Sequence, residues 1–252
     1  MSLWTAFKKE WLEQRRTHRL LIAVIVLAAF GMLSPLLAKF MPEIFAMIPG
    51  AEQIASIIPA PTVNDAVAQY IKNITQFGVL MALLFCMGAV ASEKEKGTAA
   101  LVLSKPMGRG SFILAKFLAV AATFAVGMAA AALGGYYYSY FLFEPLAWGP
   151  YLAMNGLILV YMLFYGSVTL FFSTLTRTQF VAVGGAAAVL IVSGVFGSLP
   201  TYGKFSPDTL VNIAAKVALG QPVESWWGLW VGLGLTIAVL TASWLVFRRQ
   251  EL

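Results

Sequence analysis

Residues 92–109 read SEKEKGTAALVLSKPMGR and separate two long apolar runs of the chain. Four consecutive charged side chains, at 93–96, open this segment. An ionised side chain at the centre of a membrane-spanning helix costs roughly 2.5–3.5 kcal/mol, so these four together would cost about 10 kcal/mol or more. The segment must therefore lie in water or in a protein contact. Its apolar part, 99–103, is long enough for only one or two helical turns, which favours a docking element over a plain solvated loop.

The composition on either side of this segment indicates a membrane protein. Of the 252 residues, 60% are hydrophobic and only 11% are charged, whereas an ordinary soluble domain is about 25% charged. Roughly 20 apolar residues make a helix long enough to cross the hydrocarbon core. The windows without Asp, Glu, Lys or Arg are 20–38, 73–92, 117–143, 145–176, 178–203 and 225–247.

These six windows predict an all-α membrane protein with six transmembrane helices. The alternative, six buried helices of one large soluble core, is disfavoured because so many charge-free windows occur in one chain. We expect a single transmembrane domain that covers residues 1–252. Its spans are predicted at 20–38, 73–92, 112–138, 151–173, 178–199 and 227–247.

The placement of basic residues predicts the orientation of the chain. Odd-numbered spans must all start on the same side, and on this threading thirteen of the 17 Lys and Arg residues fall on one side and four on the other. The larger group comprises Lys8, Lys9, Arg15, Arg16, Arg19, Lys94, Lys96, Lys105, Arg109, Lys116, Arg177, Arg248 and Arg249, and the smaller group comprises Lys39, Lys72, Lys204 and Lys216. Because short loops rich in Lys and Arg stay in the cytoplasm, we expect both termini and residues 92–109 to be cytoplasmic. Topology accounts for the net charge of +6, and no nucleic-acid partner is predicted.

The first 19 residues predict an amphipathic helix that lies in the membrane interface. Trp4, Phe7 and Trp11 fall on one helical face, and charged residues surround the rest. A simple basic anchor ahead of the first span is an alternative. A secretory signal peptide is another, but the long charged lead and the lack of a clear small-x-small cleavage site before Lys39 favour a retained helix.

Two longer segments, 39–72 and 199–227, fall on the outer side in this topology. Prolines break the first into apolar pieces that are too short to span, and helical spacing from Val63 onward continues into the second span. In the other segment, Ser206-Pro207-Asp208 supplies a cap, a proline for the first helical position and an acid for the first turn. We therefore expect outer helices before spans two and six.

The sequence lacks the motifs of several enzyme classes. It has no GxxxxGK[ST] loop for a nucleotide, and no HExxH, CxxC or GxSxG motif. His18 and Cys86 are its only histidine and cysteine, so neither a Cys/His metal site nor a disulfide within the chain is expected. The chain itself is predicted to have no catalytic residue, no cofactor site and no metal site. Charge-free spans also disfavour a proton- or ion-coupled carrier, although sodium can be held by backbone carbonyls alone.

The residues that follow span two carry a recognisable order of elements. They are Glu93-Lys94-Glu95-Lys96-Gly97-Thr98, then Leu101-Val102-Leu103-Ser104-Lys105-Pro106, then Arg109, and finally Ala115-Lys116. This order resembles the cytoplasmic loop between spans two and three of type-2 ABC exporter permeases: an acid-rich turn, Gly-Thr, a leucine-rich helix ending in Ser, a Pro, an Arg, and a Lys opening span three. Ala99 and Ala100 stand where bulkier residues are often seen.

The resemblance extends over the whole chain in outline, through the lead helix, the six spans and the outer helical segment before the sixth. It is closest to the permeases grouped with multicopper-enzyme maturation, as in the nitrous-oxide reductase accessory permease, and copper is not carried over from that group. The resemblance implies a permease subunit of an ATP-driven exporter in the cytoplasmic (inner) membrane. It also implies two ATPase subunits, which would hold ATP and Mg²⁺, and a second permease, identical or homologous.

The resemblance further implies a coupling helix within residues 92–106 that docks into a groove of the ATPase subunit. The ATPase-docking residues that it implies are Glu93, Lys94, Glu95, Lys96, Gly97, Thr98, Leu101, Leu103, Ser104, Pro106 and Arg109. The physical chemistry agrees, because Leu101 and Leu103 offer apolar anchors and the charged run offers complementarity at the rim. Gly97 would permit a sharp turn after the second span.

Two other functions are kept as alternatives. A non-transporting membrane scaffold or immunity protein would bind partners but move nothing, and the sequence does not exclude it. An ion-coupled secondary carrier would work without an ATPase, and the charge-free spans disfavour it. The ordered pattern over 93–116 favours the permease.

Overall fold

The computed structural model describes residues 2–48, 59–97, 108–199 and 201–250. Regular structure within these ranges is helical, and six of the helices are long and apolar enough to cross a membrane. The predicted all-α class with six spans is therefore confirmed. Spans 1 to 6 are Arg19–Lys39, Val63–Met87, Arg109–Leu142, Trp148–Leu175, Gln179–Gly197 and Trp227–Arg249.

Shorter helices connect or precede the spans. We name three of them: the N-terminal helix, the turn helix after span 2, and the outer helix before span 6. Their bounds are Leu3–Arg16, Ala91–Glu95 and Thr209–Ala218 respectively, and the other short elements are an α-helix at Met41–Ala46 and a 3₁₀ turn at Gly203–Phe205. The second apolar piece of the 39–72 segment, at 54–58, lies outside the described residues.

Span 2 begins ten residues before its charge-free window. Thr62 and Asp65 form a reciprocal capping box at its start, with the Thr62 backbone N–H donating to the Asp65 carboxylate at 2.8 Å. Such a box satisfies two of the free N–H groups at a helix start. The helical spacing from Val63 onward reflects this early beginning.

Span 4 lies at the centre of the bundle. In an apolar 18-residue window of span 4, 67% of the window is buried inside the protein. The share is only 11% in the corresponding windows of spans 5 and 6. Span 4 contacts spans 2, 5 and 6 and the outer helix, and span 3 contacts span 1 and the N-terminal helix. Spans 5 and 6 therefore leave most of their apolar surface open.

Spans 1 and 3 approach each other closely through small residues. A Cβ built on Gly31 would lie 2.6 Å from the Ala131 carbonyl oxygen, and one on Gly127 would lie 2.9 Å from Leu27 Cδ1. No larger residue fits at either crossing without a shift of the backbone or of the leucine. The small residues of span 3 therefore serve helix packing, as is usual in membranes.

Hydrogen bonds at one end of the bundle show how the chain is threaded. Arg19 at the start of span 1 donates to the carbonyl of Phe85 near the end of span 2, at 3.3 Å. Gln250 after span 6 donates to the carbonyl of Thr174 at the end of span 4, at 2.9 Å. The start of span 1 and the ends of spans 2, 4 and 6 thus meet at one end, which we call the Glu93 end.

The opposite end, which we call the Asp208 end, carries the outer helix. This helix begins at Thr209, two residues later than the Ser206-Pro207-Asp208 pattern predicts. The Ser206 hydroxyl accepts from the backbone N–H of Asp208 at 3.3 Å, but the Asp208 carboxylate makes no cap. The Asp208 carboxylate points instead towards spans 4 and 5, where hydroxyl groups donate hydrogen bonds to it.

Candidate functional site

A buried lysine organises the Glu93 end. Lys116 lies two turns inside span 3 and is only 4% exposed. Its Nζ donates to Glu93 Oε1 of the turn helix at 2.6 Å and to Glu10 Oε2 of the N-terminal helix at 3.1 Å. An unpaired buried charge is strongly destabilising, so Lys116 holds the turn helix and the N-terminal helix against span 3.

A second lysine balances the two carboxylates. Lys9 Nζ lies 3.0 Å from Glu10 Oε1 and 3.9 Å from Glu93 Oε1, and it is more exposed than Lys116. Two cations and two anions thus form one group, which we call the four-charge cluster: Lys9, Glu10, Glu93 and Lys116. Burial by itself raises the pKa of Glu10, but Lys116 and Lys9 outweigh it and bring that pKa below its ordinary value.

The N-terminal helix therefore buries a polar face. Ala6, Glu10 and Gln14 point into the protein at successive helical turns. The aromatic residues that the sequence places on one face stack beside them, with ring centroids 5.5 Å apart for Trp4 and Phe7. The helix packs in this way because its partner on span 3 is a lysine.

A glutamate group in this region also meets the distance criterion for metal ligands. Carboxylate oxygens of Glu10, Glu13 and Glu93 lie within 4.8 Å of one another. Lys116 bonds two of these carboxylates directly. The ammonium supplies the positive charge that a bound cation would bring, so we assign the group to ion pairing.

The end of span 4 positions the turn helix. Ser173 Oγ accepts from the backbone N–H of Ala91 at 3.0 Å. The Lys94 ammonium donates to the Thr174 carbonyl, and it lies 6.0 Å from the ring centroid of Phe247 in span 6. The turn helix is thereby attached to spans 3, 4 and 6 through separate side chains.

The chain leaves the turn helix through a left-handed residue. Gly97 has φ of 67°, a conformation that residues with a Cβ adopt at a cost of roughly 1–2 kcal/mol. Among the described residues, no heavy atom outside the glycine and its chain neighbours lies within 4 Å of the position a Cβ would take. The requirement for glycine is therefore conformational rather than steric.

Arg109 closes the other side of the segment. It is the first residue of span 3, and its Nη1 donates to the backbone carbonyls of Phe247, Arg248 and Gln250 at 3.0, 2.7 and 2.9 Å. The last carbonyls of a helix have no partner within it. Arg109 satisfies them for span 6 and joins the start of span 3 to the end of span 6.

The structure describes part of the predicted docking set. Glu93 and Lys94 face the bundle through the contacts above, while Glu95 and Lys96 are exposed. The docking residues outside the described ranges are Thr98, Leu101, Leu103, Ser104 and Pro106. Sequence reasoning missed Glu10, and the one signal for it is that Lys116, inside an apolar helix, requires an acidic partner.

A second polar group lies at the Asp208 end. The Asp208 carboxylate accepts from the hydroxyls of Tyr161 at 2.8 Å, Tyr165 at 2.9 Å and Ser206 at 2.8 Å, and also from Ser193. We call this arrangement the hydroxyl cage. Hydrogen bonds to an ionised carboxylate are stronger than neutral ones, so the cage fixes the start of the outer helix to spans 4 and 5. The sequence pattern had pointed to Asp208 only as a helix-start residue.

A cavity of about 710 Å³ opens beside the cage, between span 2, span 5 and the outer helix. Tyr161 of the cage lines it together with Lys72 and Gln76 of span 2, Leu190 of span 5 and Asn212 of the outer helix. Its volume falls within the usual range of small-molecule pockets. The arrangement can admit a ligand of moderate size with a largely apolar surface.

Comparison with known proteins defines the family. The model of the ABC-2 family transporter proteins matches residues 4–252. The chain belongs to the ABC-2 transporter family. Members of this family are membrane components of transporters and not themselves enzymes, and with its six spans this ABC-2 protein is a multi-pass membrane protein.

Two relatives illustrate the range of the family. The chain is 27% identical over 254 residues to the uncharacterized transmembrane protein YxlG of Bacillus subtilis (strain 168), covering 97% of this chain and 96% of that protein. It is 34% identical over 116 residues to the probable ABC transporter permease protein NosY of Pseudomonas aeruginosa (strain PAO1), covering 46% of this chain and 38% of that protein.

Proposed function

We propose that this ABC-2 protein is the permease subunit of an ATP-driven exporter, that it forms the substrate path, and that it couples to a separate ATPase subunit. Family membership supports the permease. The observation that carries the coupling is the four-charge cluster, in which one buried lysine holds both the turn helix and the N-terminal helix. The turn helix leads directly into the proposed docking segment.

The ATPase subunit would bind the segment within residues 92–106. Leu101 and Leu103 would anchor it, and the exposed charges of Glu95 and Lys96 would lie at the rim of the contact. ATP and Mg²⁺ would be held by the ATPase, and this chain would supply no catalytic group. Two ATPase subunits are expected, one for each of two permeases.

The cluster suggests how a movement of that segment would reach the spans. Separating Glu93 from Lys116 would break the shortest ion pair of the cluster, in which Lys116 is buried, and such a separation is unfavourable. The turn helix, span 3 and the N-terminal helix would therefore move as one body when the ATPase pulls. Rigid-body movement of this kind is a common route between two states of a transporter.

A second permease, identical or homologous, would complete the path. Most of the apolar surface of span 5 is open, and no atom from another described element lies within 4 Å of the Cβ positions of Gly184 and Gly194. Faces with small residues let helices approach closely in lipid. The cavity between spans 2 and 5 would then form part of the substrate path, near the partner permease.

The same proposal fixes the orientation. Thirteen of the 17 Lys and Arg residues lie on the side of the Glu93 end in the predicted threading. By the positive-inside rule this end and both termini would face the cytoplasm. The protein would then lie in the cytoplasmic membrane, with the Asp208 end on the outside.

The test is co-purification of the ATPase. The tagged chain is solubilised from its own cells in mild detergent, and its partners are identified by mass spectrometry. The wild-type chain should retain a stoichiometric subunit with a Walker A loop. Replacing Leu101 and Leu103 with Asp should remove that subunit and leave membrane insertion and the size-exclusion profile unchanged. Leu199→Asp is the matched control, because Leu199 is a 44% exposed leucine near the opposite end.

Two outcomes would count against the proposal. Full retention of the ATPase by the double variant would refute the docking role of the two leucines. If the wild-type chain purifies without any ATPase under several mild conditions, the permease itself is refuted and the scaffold function is favoured.

A further inference from the structure

A second cavity, of about 770 Å³, opens beside the N-terminal helix. Trp4 and Phe7 form one wall, Leu163 of span 4 lies on another side, and Ala121 and Ala125 of span 3 line it between them. Every lining residue except Ser2 is apolar. We call this cavity the alanine groove.

The alanine groove extends through about two thirds of one membrane leaflet. Its lining on span 3 extends from Leu118 to Ala125, which is about 10 Å along a helix that rises 1.5 Å per residue. Half of a hydrocarbon core is about 15 Å thick. The small side chains of span 3 leave room on this side of the helix, and the length and apolar lining of the groove fit an acyl chain.

Positive charge lies at the mouth of the groove. Lys8 Nζ lies 5.3 Å from the ring centroid of Trp4. Arg15 and Arg16 are exposed on the same helix, and among the described residues none of these three cations forms an ion pair. An apolar groove with the exposed cation of Lys8 beside its Trp4 wall is complementary to a lipid with a negative headgroup.

We propose that the alanine groove binds one acyl chain of an anionic phospholipid from the leaflet at the Glu93 end, with the headgroup beside Lys8. The chain would fill the space between the N-terminal helix and spans 3 and 4. The lipid would thereby support the helix in the position from which Glu10 reaches Lys116. The site is independent of the ATPase and lies on a different face from the cavity between spans 2 and 5.

Native mass spectrometry of the full chain tests this site. The protein is incubated in detergent with vesicles of phosphatidylglycerol and phosphatidylcholine in equal parts, and the bound lipid is counted. Ala125→Phe places a ring in the groove, and Ala129→Phe is the control, an exposed alanine one turn further along span 3 that does not line it. Displacing about two methylene groups should lower retention about tenfold in the Ala125 variant.

The charge is tested separately. Lys8→Gln should reduce the preference for phosphatidylglycerol over phosphatidylcholine about fivefold, which is the contribution of one basic residue at an anionic membrane surface. The control is Lys96→Gln, at an exposed lysine elsewhere at the same end, which should leave the preference unchanged. Equal retention by the two phenylalanine variants, or equal binding of the two lipids by the wild type, would overturn the proposal. If Ala125→Phe fails to fold, a phospholipid with a photoreactive acyl chain replaces it: labelling of residues 118–125 supports the site, and labelling confined to other spans overturns it.

Discussion

Replacing Lys116 with Met would remove the cation on which the Glu93 end converges. The methionine preserves much of the apolar stem but removes the ammonium that lies 2.6 Å from Glu93 and 3.1 Å from Glu10. Removing one partner of a buried ion pair costs about 3–5 kcal/mol. Both carboxylates lose their ion pair to Lys116, and the N-terminal helix loses its only ion pair to span 3 among the described residues.

The expected result is release of the N-terminal helix without loss of the bundle. Hydrogen exchange of residues 3–16 should accelerate by about two to four orders of magnitude, the factor that corresponds to this cost. Span 4, which the cluster does not touch, should keep its protection. Exchange is followed by mass spectrometry on the purified full chain in detergent.

Two further variants make the reasoning refutable. Lys204→Met, at an exposed lysine of the opposite end, controls for the loss of a lysine as such. Adding Glu10→Gln and Glu93→Gln to Lys116→Met removes the two carboxylates that lost Lys116 and should recover part of the protection, because apolar or neutral replacement of a buried ion group is far less costly than breaking it. Unchanged exchange at residues 3–16 in Lys116→Met would show that the cluster does not hold the helix.

Two other perturbations test particular groups. The pKa of Glu10 is lowered in the docked helix. The Glu10 carboxylate therefore stabilises the docked helix fully above about pH 4.3, and this stabilisation is lost as pH falls further, through the lowered pKa. Protection of residues 3–16 from hydrogen exchange, corrected for intrinsic exchange, should therefore hold from pH 7 to 5 and fall below about pH 4. Glu10→Gln should abolish that acid transition. If the transition persists in the variant, another group than Glu10 causes it. Asp208→Asn should weaken the hydroxyl cage by roughly 1.5–3 kcal/mol and expose the outer helix to protease. Glu224→Gln should have little effect, because the ion pair that it removes, to Lys216 of the outer helix, is exposed to solvent. Equal cleavage of these two variants would contradict the role of the cage.

The spans were predictable because lipid imposes a simple rule. A charge-free length of about 20 residues is a requirement of the hydrocarbon core, and it can be read locally from the sequence. The start of span 3 departs from that rule. Its charge-free window begins at 117, but the helix begins at Arg109 and includes Lys116, since a buried cation is tolerated where two carboxylates meet it.

The polar groups were less predictable because their partners are distant in sequence. Glu10 appears as one of several charges around an amphipathic helix, and its lysine lies 106 residues further along the chain. Asp208 has the spacing of a helix-start acid, but its carboxylate accepts hydrogen bonds from four hydroxyls. Three of these hydroxyls lie on spans 4 and 5, and the fourth is that of Ser206. Local patterns identify such residues as polar, and only tertiary packing decides which partner they take.

The long separation between Glu10 and Lys116 also orders the events of biosynthesis. At about 5–20 residues per second, a ribosome needs roughly 5–20 s to add the 106 residues between them. Throughout that interval the newly made N-terminal helix carries a carboxylate whose partner on span 3 does not yet exist. The N-terminal helix can reach its packed position only after span 3 has been synthesised. Docking of this helix onto span 3 therefore marks the completed insertion of the first half of the protein.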